Sequence, residues 1–197
     1  MNPRSDLALA LDPSAWARSL GFTPDPWQEH VLRSALDRLL LNCSRQSGKT
    51  TVTALLALHR ALYWPGSLVL VLSPSLRQSG ELFRKVVGFY RLTKAKANAV
   101  SATHRELANG SRVVSLPATE STIRGFSGAA LLIIDEAARV SDELYYSVRP
   151  MLAVSGGRPV TLSTPFGKRG WWYHAWRYGG DAWQRVEVPA TECPRIT

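Results

Sequence analysis

The chain changes hydrophobic period block by block. Ser67-Leu68-Val69-Leu70-Val71-Leu72 is apolar on both faces, as a strand buried inside a parallel sheet must be. Ala130 to Ile134 is a second such run and Val160-Thr161-Leu162-Ser163 a third candidate. The short run Arg38-Leu39-Leu40-Leu41-Asn42 leads into a glycine-bearing loop. Helical spacing appears from near Gly48 through Leu55, Leu56 and Leu58 toward Tyr63, and again from Leu76 to Tyr90. It also appears from Glu143 to Leu152, where Pro150 is expected to end or kink the helix. Asp12-Pro13 and the later Gly21 bracket a short helix with a capping aspartate and an N1 proline. Asp25-Pro26 opens another in the same way, carrying Trp27, Gln28, Val31, Leu32 and Leu36. Asn109-Gly110, between Arg105 to Leu107 and Ser111 to Leu116, predicts a hairpin. Strands alternating with helices predict an α/β fold with a mostly parallel central sheet flanked by helices.

Composition narrows this. The 197 residues suit one α/β domain: a helical segment over 1–37 and a core over 38–197. No apolar run approaches the roughly 20 residues that span a bilayer, and the N-terminus lacks a secretory pattern. Cys43 and Cys193 have no metal-ligand spacing and read as reduced intracellular thiols. The net charge of +9 suits a polyanion such as nucleic acid, or else reflects an arginine-rich proteome.

The loop itself, Cys43-Ser44-Arg45-Gln46-Ser47-Gly48-Lys49-Thr50, nearly fits the phosphate-binding pattern G-x-x-x-x-G-K-[ST], with cysteine where the first glycine belongs. Gly48 admits a phosphate close to the backbone, and the following helix start supplies positive potential. Lys49 is placed to reach the β- and γ-phosphates and Thr50 to hold Mg²⁺. The bland reading is a surface turn with a capping threonine. The second half of the chemistry is Leu131-Leu132-Ile133-Ile134-Asp135-Glu136, an apolar strand ending in two carboxylates. Asp135 is expected to hold Mg²⁺ and Glu136 to orient the attacking water as general base. Together the two halves point to nucleotide hydrolysis with Mg²⁺.

With these motifs in hand, the chain resembles the ATPase domain of viral, bacteriophage-type terminase large subunits. Ser44-Arg45-Gln46-Ser47-Gly48-Lys49-Thr50 matches that family's deviant loop, so the missing glycine reads as a family variant. Asp135-Glu136-Ala137-Ala138 resembles its acidic motif and Leu162-Ser163-Thr164-Pro165 its coupling motif. Pro26-Trp27-Gln28 resembles a glutamine motif that reads adenine, and Ile123-Arg124-Gly125 an element that lends an arginine to a neighbouring subunit. The resemblance implies a P-loop NTPase of the ASCE type. It implies ATP contacts from Gln28, Ser44, Arg45, Gln46, Ser47, Gly48, Lys49, Thr50 and Thr51, and metal contacts from Thr50 and Asp135. Catalytic roles fall to Glu136, Lys49, Arg124 and Arg45, and coupling to Ser163 and Thr164. It further implies translocation of double-stranded DNA into procapsids in the cytoplasm of an infected host. The implied assembly is a homo-oligomeric ring, a pentamer by resemblance; for the chain alone the expectation is a monomer. Portal and small terminase subunits are the other implied partners, with no membrane.

Alternatives stay open at several residues. Arg45 contacts phosphate, swings on nucleotide exchange or pairs with a carboxylate. Arg124 is an intersubunit finger or part of a surface ion pair. The aromatic tail from Trp171 to Trp183 is a packed layer, favoured by the i,i+4 spacing of Trp172 and Trp176, or a stacking surface for nucleic acid. After Pro165 the carboxylates Asp181, Glu187 and Glu192 are too few for a nuclease, and a nuclease domain is expected to be absent. A helicase-like ATPase and a nucleotide-binding assembly module with little hydrolysis are the competing functions.

Overall fold

The computed structural model describes residues 3–34, 38–119, 123 and 125–193. Its helices are α1 (Pro3–Leu11), α2 (Pro13–Ser19), α3 (Pro26–Leu32), α4 (Lys49–Tyr63), α5 (Leu76–Leu92), α6 (Asp142–Ala153) and α7 (Gly170–Tyr178). The strands are β1 (Leu39–Cys43), β2 (Leu68–Ser73), β3 (Ala97–Val100), β4 (His104–Leu107), β5 (Arg112–Pro117), β6 (Ala129–Asp135), β7 (Arg158–Ser163) and β8 (Gln184–Val188). They form one sheet in the order β3-β4-β5-β2-β6-β7-β1-β8, antiparallel only where β4 meets β3 and β5.

The sheet is covered on both faces. Leu39, Leu41, Val69, Val71, Ile133 and Leu162 pack against α2 to α5, while Leu40, Leu70, Leu72, Leu132 and Ile134 pack against α6, α7 and Trp183. This is why β2 is buried at every position and reads as an unbroken apolar run. Helix α4 runs through the middle, buried from Val52 to His59. Its C-terminal carbonyls are closed by the hairpin turn: the Asn109 side-chain amide donates to Ala61 O at 2.8 Å and Leu62 O at 3.0 Å.

The structure departs from the sequence pattern in four places. Helix α6 runs through Pro150 to Ala153. The carbonyl that loses its partner belongs to Tyr146, which is exposed, so water can satisfy it. Helix α3 stops at Leu32, and Leu36 lies outside the described residues. Helix α1 has apolar residues but no helical period among them, and strand β3 is four residues of which three are exposed, so neither announces itself. The tail also supplies β8, which pairs in parallel with β1 from Leu39↔Gln184 to Cys43↔Val188. Trp171, Trp172 and Trp183 are buried, in keeping with the packed-layer reading. No helix among the described residues is long and apolar enough to cross a membrane.

Candidate active site

Strand β1 delivers the chain to the loop at Cys43, the last strand residue, fully buried in the core. Burial pushes its thiol up to about 12. The left-handed backbone needed to turn the loop falls instead on Gln46 (φ 61°) and Gly48 (φ 90°). Glycine is therefore not required at 43. Ser44 closes the strand by donating its N–H to Val188 O at 2.9 Å, which ties the loop to β8. The buried Ser44 hydroxyl has no partner among the described residues, as befits a lining for an anion. Lys49 opens α4 and is 8% exposed, its ammonium held at the loop rather than in solvent.

Strand β6 ends in Asp135, 7% exposed, with its carboxyl raised to about 6 by burial and by the neighbouring Glu136 charge, against the pull of Lys49. Glu136 leaves the strand in a left-handed conformation (φ 49°, ψ 44°) that is uncommon for a residue with a side chain. That turn swings its carboxylate onto the loop: Lys49 Nζ lies 3.6 Å from Glu136 Oε1. Strand β7 lies between β1 and β6 and brings Thr164, whose hydroxyl donates to Glu136 Oε2 at 3.1 Å. Ser163 is tied to the same turn, accepting the Ala138 N–H at 3.3 Å.

Arg45, Gln46, Lys49, Gln78, Glu136, Arg139 and Thr164 line one cleft of about 410 Å³ at this rim. Two larger cavities, of about 520 and 550 Å³, lie elsewhere, one beside Asp12, His59 and Trp64, the other beside Tyr145, Arg149 and Trp183. Neither holds a residue of the loop or the acidic turn, so size is a poor guide to the chemistry here.

The expected residues come together unevenly. Lys49, Glu136, Arg45, Gln46 and Thr164 share the cleft. Thr51 faces α5, where its hydroxyl accepts from Lys85 Nζ at 3.0 Å. Gln28 is fully buried: its Oε1 accepts the Asp25 N–H at 3.0 Å and its Nε2 donates to Gly48 O at 3.5 Å. The amide thus joins α3 to the loop. Arg124 lies outside the described residues. Sequence reasoning missed Gln78, which Ser75 places in the first turn of α5 by capping the Gln78 N–H. It also assigned no contact to Arg139. That guanidinium lies 3.8 Å from Glu136 Oε2 and 4.0 Å from the Phe166 ring, with Arg169 4.7 Å from the same ring.

The fold and cleft define a P-loop NTPase, with β7 inserted between the loop strand and the acidic strand as in the ASCE type. Residues 40–192 match the family described as terminase large subunit, T4likevirus-type, N-terminal. The large terminase subunit of Thermus virus P23-45 is 30% identical over 185 residues, spanning 81% of this chain and 38% of that protein. That of Thermus phage G20c is 29% identical over the same length and shares. Among solved structures, the ATPase domain of the Thermus phage P74-26 large terminase has a TM-score of 0.80 at 22% identity, covering 90% of this chain and 86% of that one. The large terminase of bacteriophage D6E in complex with ADP has a TM-score of 0.66 at 12% identity, covering 95% and 46%. This chain belongs to the terminase large subunit family, in the N-terminal part of that protein. It spans 38% of the length of the curated relatives it matches.

Proposed function

We propose that this chain is an ATP-hydrolysing motor domain that drives double-stranded DNA into a viral procapsid. The observation that carries the reading is Glu136, whose two carboxylate oxygens face Lys49 and Thr164 in one cleft. Before nucleotide binds, Lys49 screens Glu136. A triphosphate in the loop recruits Lys49 to its β- and γ-oxygens, which frees Glu136 Oε1 to orient water as general base. The other oxygen stays on Thr164, so the hydroxyl that ends β7 registers where Glu136 points. This gives the coupling segment a physical link to the reaction. Backbone N–H groups of 45–49 cradle the phosphates, with Ser44 and Ser47 at their edges, while Thr51, bonded to Lys85, stands back from them.

Asp135 and Thr50 are the groups that would hold Mg²⁺. A carboxyl driven up to about 6 by burial and a like charge gains from a cation beside it, and both groups are hard oxygen donors. Mg²⁺ there would neutralise phosphate charge. Arg45, exposed on the cleft wall, is the group for phosphate contact or nucleotide sensing. Gln28 positions α3 against the loop, and reading adenine with its amide requires exchange of the longer bond to Gly48. Residues 1–37 and 38–197 act as one unit, and the +9 charge meets the DNA backbone. A ring of such chains at a portal, with a small terminase subunit, inside an infected cell, is the setting the family resemblance supports.

The test separates binding from chemistry. Lys49→Ala loses ATP affinity, because the point charge on the phosphates is gone. Glu136→Gln keeps ATP affinity and loses turnover. Equal turnover in wild type and Glu136→Gln sinks the base assignment. Turnover that rises with protein concentration and DNA supports a motor. ATP binding without turnover under any condition returns the reading to an assembly module.

A further inference from the structure

Ser73 ends β2 on the same rim where β6 ends in Asp135. The parallel ladder runs Val71↔Ile133 and Leu72↔Ile134, so the next rung sets Ser73 beside Asp135. Alternation along both strands puts the two side chains on the α4 face, since Val71 and Ile133 belong to that core and Leu72 and Ile134 to the opposite one. Ser73 is fully buried, yet its hydroxyl has no hydrogen-bond partner among the described residues. Its neighbour on the other side, Pro117 of β5, has no N–H to give. The residue beyond Asp135 is the apolar Leu162 of β7. A buried hydroxyl is rarely left orphaned without a water, an ion or a functional reason. The polar neighbour on this rung is the carboxylate assigned to Mg²⁺.

We propose that Ser73 is a positioning residue of the metal site, its hydroxyl bonded to water in the cation's hydration shell. The inference rests on the nucleotide-site reading above and deepens it. A neutral hydroxyl adds no charge, so it suits an outer contact to a cation that keeps several waters, as Mg²⁺ does. It also suits a site whose two direct groups, Asp135 and Thr50, come from different elements and need a third point to fix the cation between them. Groups that orient a metal's immediate partners commonly change its affinity by about 10–100-fold.

The experiment measures binding of a fluorescent ATP analogue to the full chain while Mg²⁺ is titrated, and again in chelator. Binding of Mn²⁺ alone is followed separately by electron paramagnetic resonance. Ser73→Ala should raise the Mg²⁺ concentration for half-maximal binding about tenfold. It should leave chelator-only nucleotide affinity and the melting temperature near wild type. Ser73→Thr, which restores a hydroxyl, should recover part of the loss. In an Asp135→Asn background Ser73→Ala should add nothing. An unchanged Mg²⁺ curve overturns the proposal, as does an equal loss in chelator, because a packing defect acts without metal. If wild type binds no nucleotide analogue at all, the site reading fails. The Mn²⁺ measurement on wild type and Ser73→Ala then decides Ser73 by itself, and equal Mn²⁺ binding overturns its role.

Discussion

At the scale of single residues, Cys43 shows how a motif can lose a letter without losing its shape. The position ends a strand and fills the core, and the positive φ angles lie at Gln46 and Gly48. Restoring the glycine should therefore harm the protein. Cys43→Gly removes a fully buried side chain and loosens a strand end, at a cost of about 1–2 kcal/mol. Urea unfolding should show the midpoint falling, and a higher midpoint would mean the loop had wanted glycine. Native Cys43 should also resist alkylation at pH 8, since its thiol titrates near 12. The sequence made Lys49, Asp135 and Glu136 legible because each sits in a short local pattern. It could not reveal the Thr164 to Glu136 bond, which joins residues 28 apart, or the left-handed turn at Glu136 that makes it possible. Arg185 was equally hidden: it donates to the carbonyls of Ala175, Trp176, Gly180 and Trp183, closing the end of α7.

At the scale of elements, α2 and α3 are joined by charge. Arg33 donates to both Asp12 oxygens, at 3.1 Å from Nε and 2.7 Å from Nη2, and Arg18 Nη2 meets Glu29 at 2.8 Å. The Arg33 hydrogen bonds pull Asp12 from its ordinary 3.8 to about 2. A carboxyl lowered on folding stabilises fully above its unfolded pKa near 4 and loses that contribution as pH falls toward 2. Arg33→Ala should lower the melting temperature at pH 7 and cost much less by pH 2, in parallel thermal melts. Equal losses at both pH values would assign Arg33 to packing instead. Elements with an unmistakable period were legible: β2, β6, α4, α5 and the β4–β5 hairpin. Strand β8 was not, because five residues with two buried positions, Val186 and Val188, carry little signal until β1 is seen beside them. Of the two outcomes expected at Pro150, an end to the helix is not what the structure shows. The proline's local rule is strong, but an exposed first half of α6 forgives the missing bond.

At the scale of the whole molecule, the cleft already carries three cations of its own, Arg45, Lys49 and Arg139, and a neighbouring subunit could add a fourth. Arg124, just upstream of β6 and outside the described residues, is the family's candidate for donation to a neighbouring subunit. An arginine supplied in this way is worth about 10³–10⁵ in rate. Arg124→Ala should bind ATP normally and turn it over slowly. Mixing it with Glu136→Ala should restore part of the activity, because some interfaces then pair an intact Arg124 with an intact Glu136. Mixed rings that form yet stay silent would shift the role to Arg45, within the same subunit.

The sheet order has a consequence for how the protein is made. Strand β1, which carries the phosphate loop, pairs only with β7 and β8: Leu39 meets Val160 and Gln184. On the ribosome the loop strand emerges before β2 to β6 and waits for sheet partners that follow them, its three leucines without strand neighbours in the meantime. Such long-range parallel pairing is slow and exposes the chain to aggregation. A stalled nascent chain ending at 157 should therefore bind no ATP analogue and be held by a chaperone, while one that presents β8 outside the exit tunnel should bind it. Binding by the shorter chain would mean the loop forms on α4 alone. Nucleotide binding by this domain is thus scheduled after the last strand of its own sheet has been made.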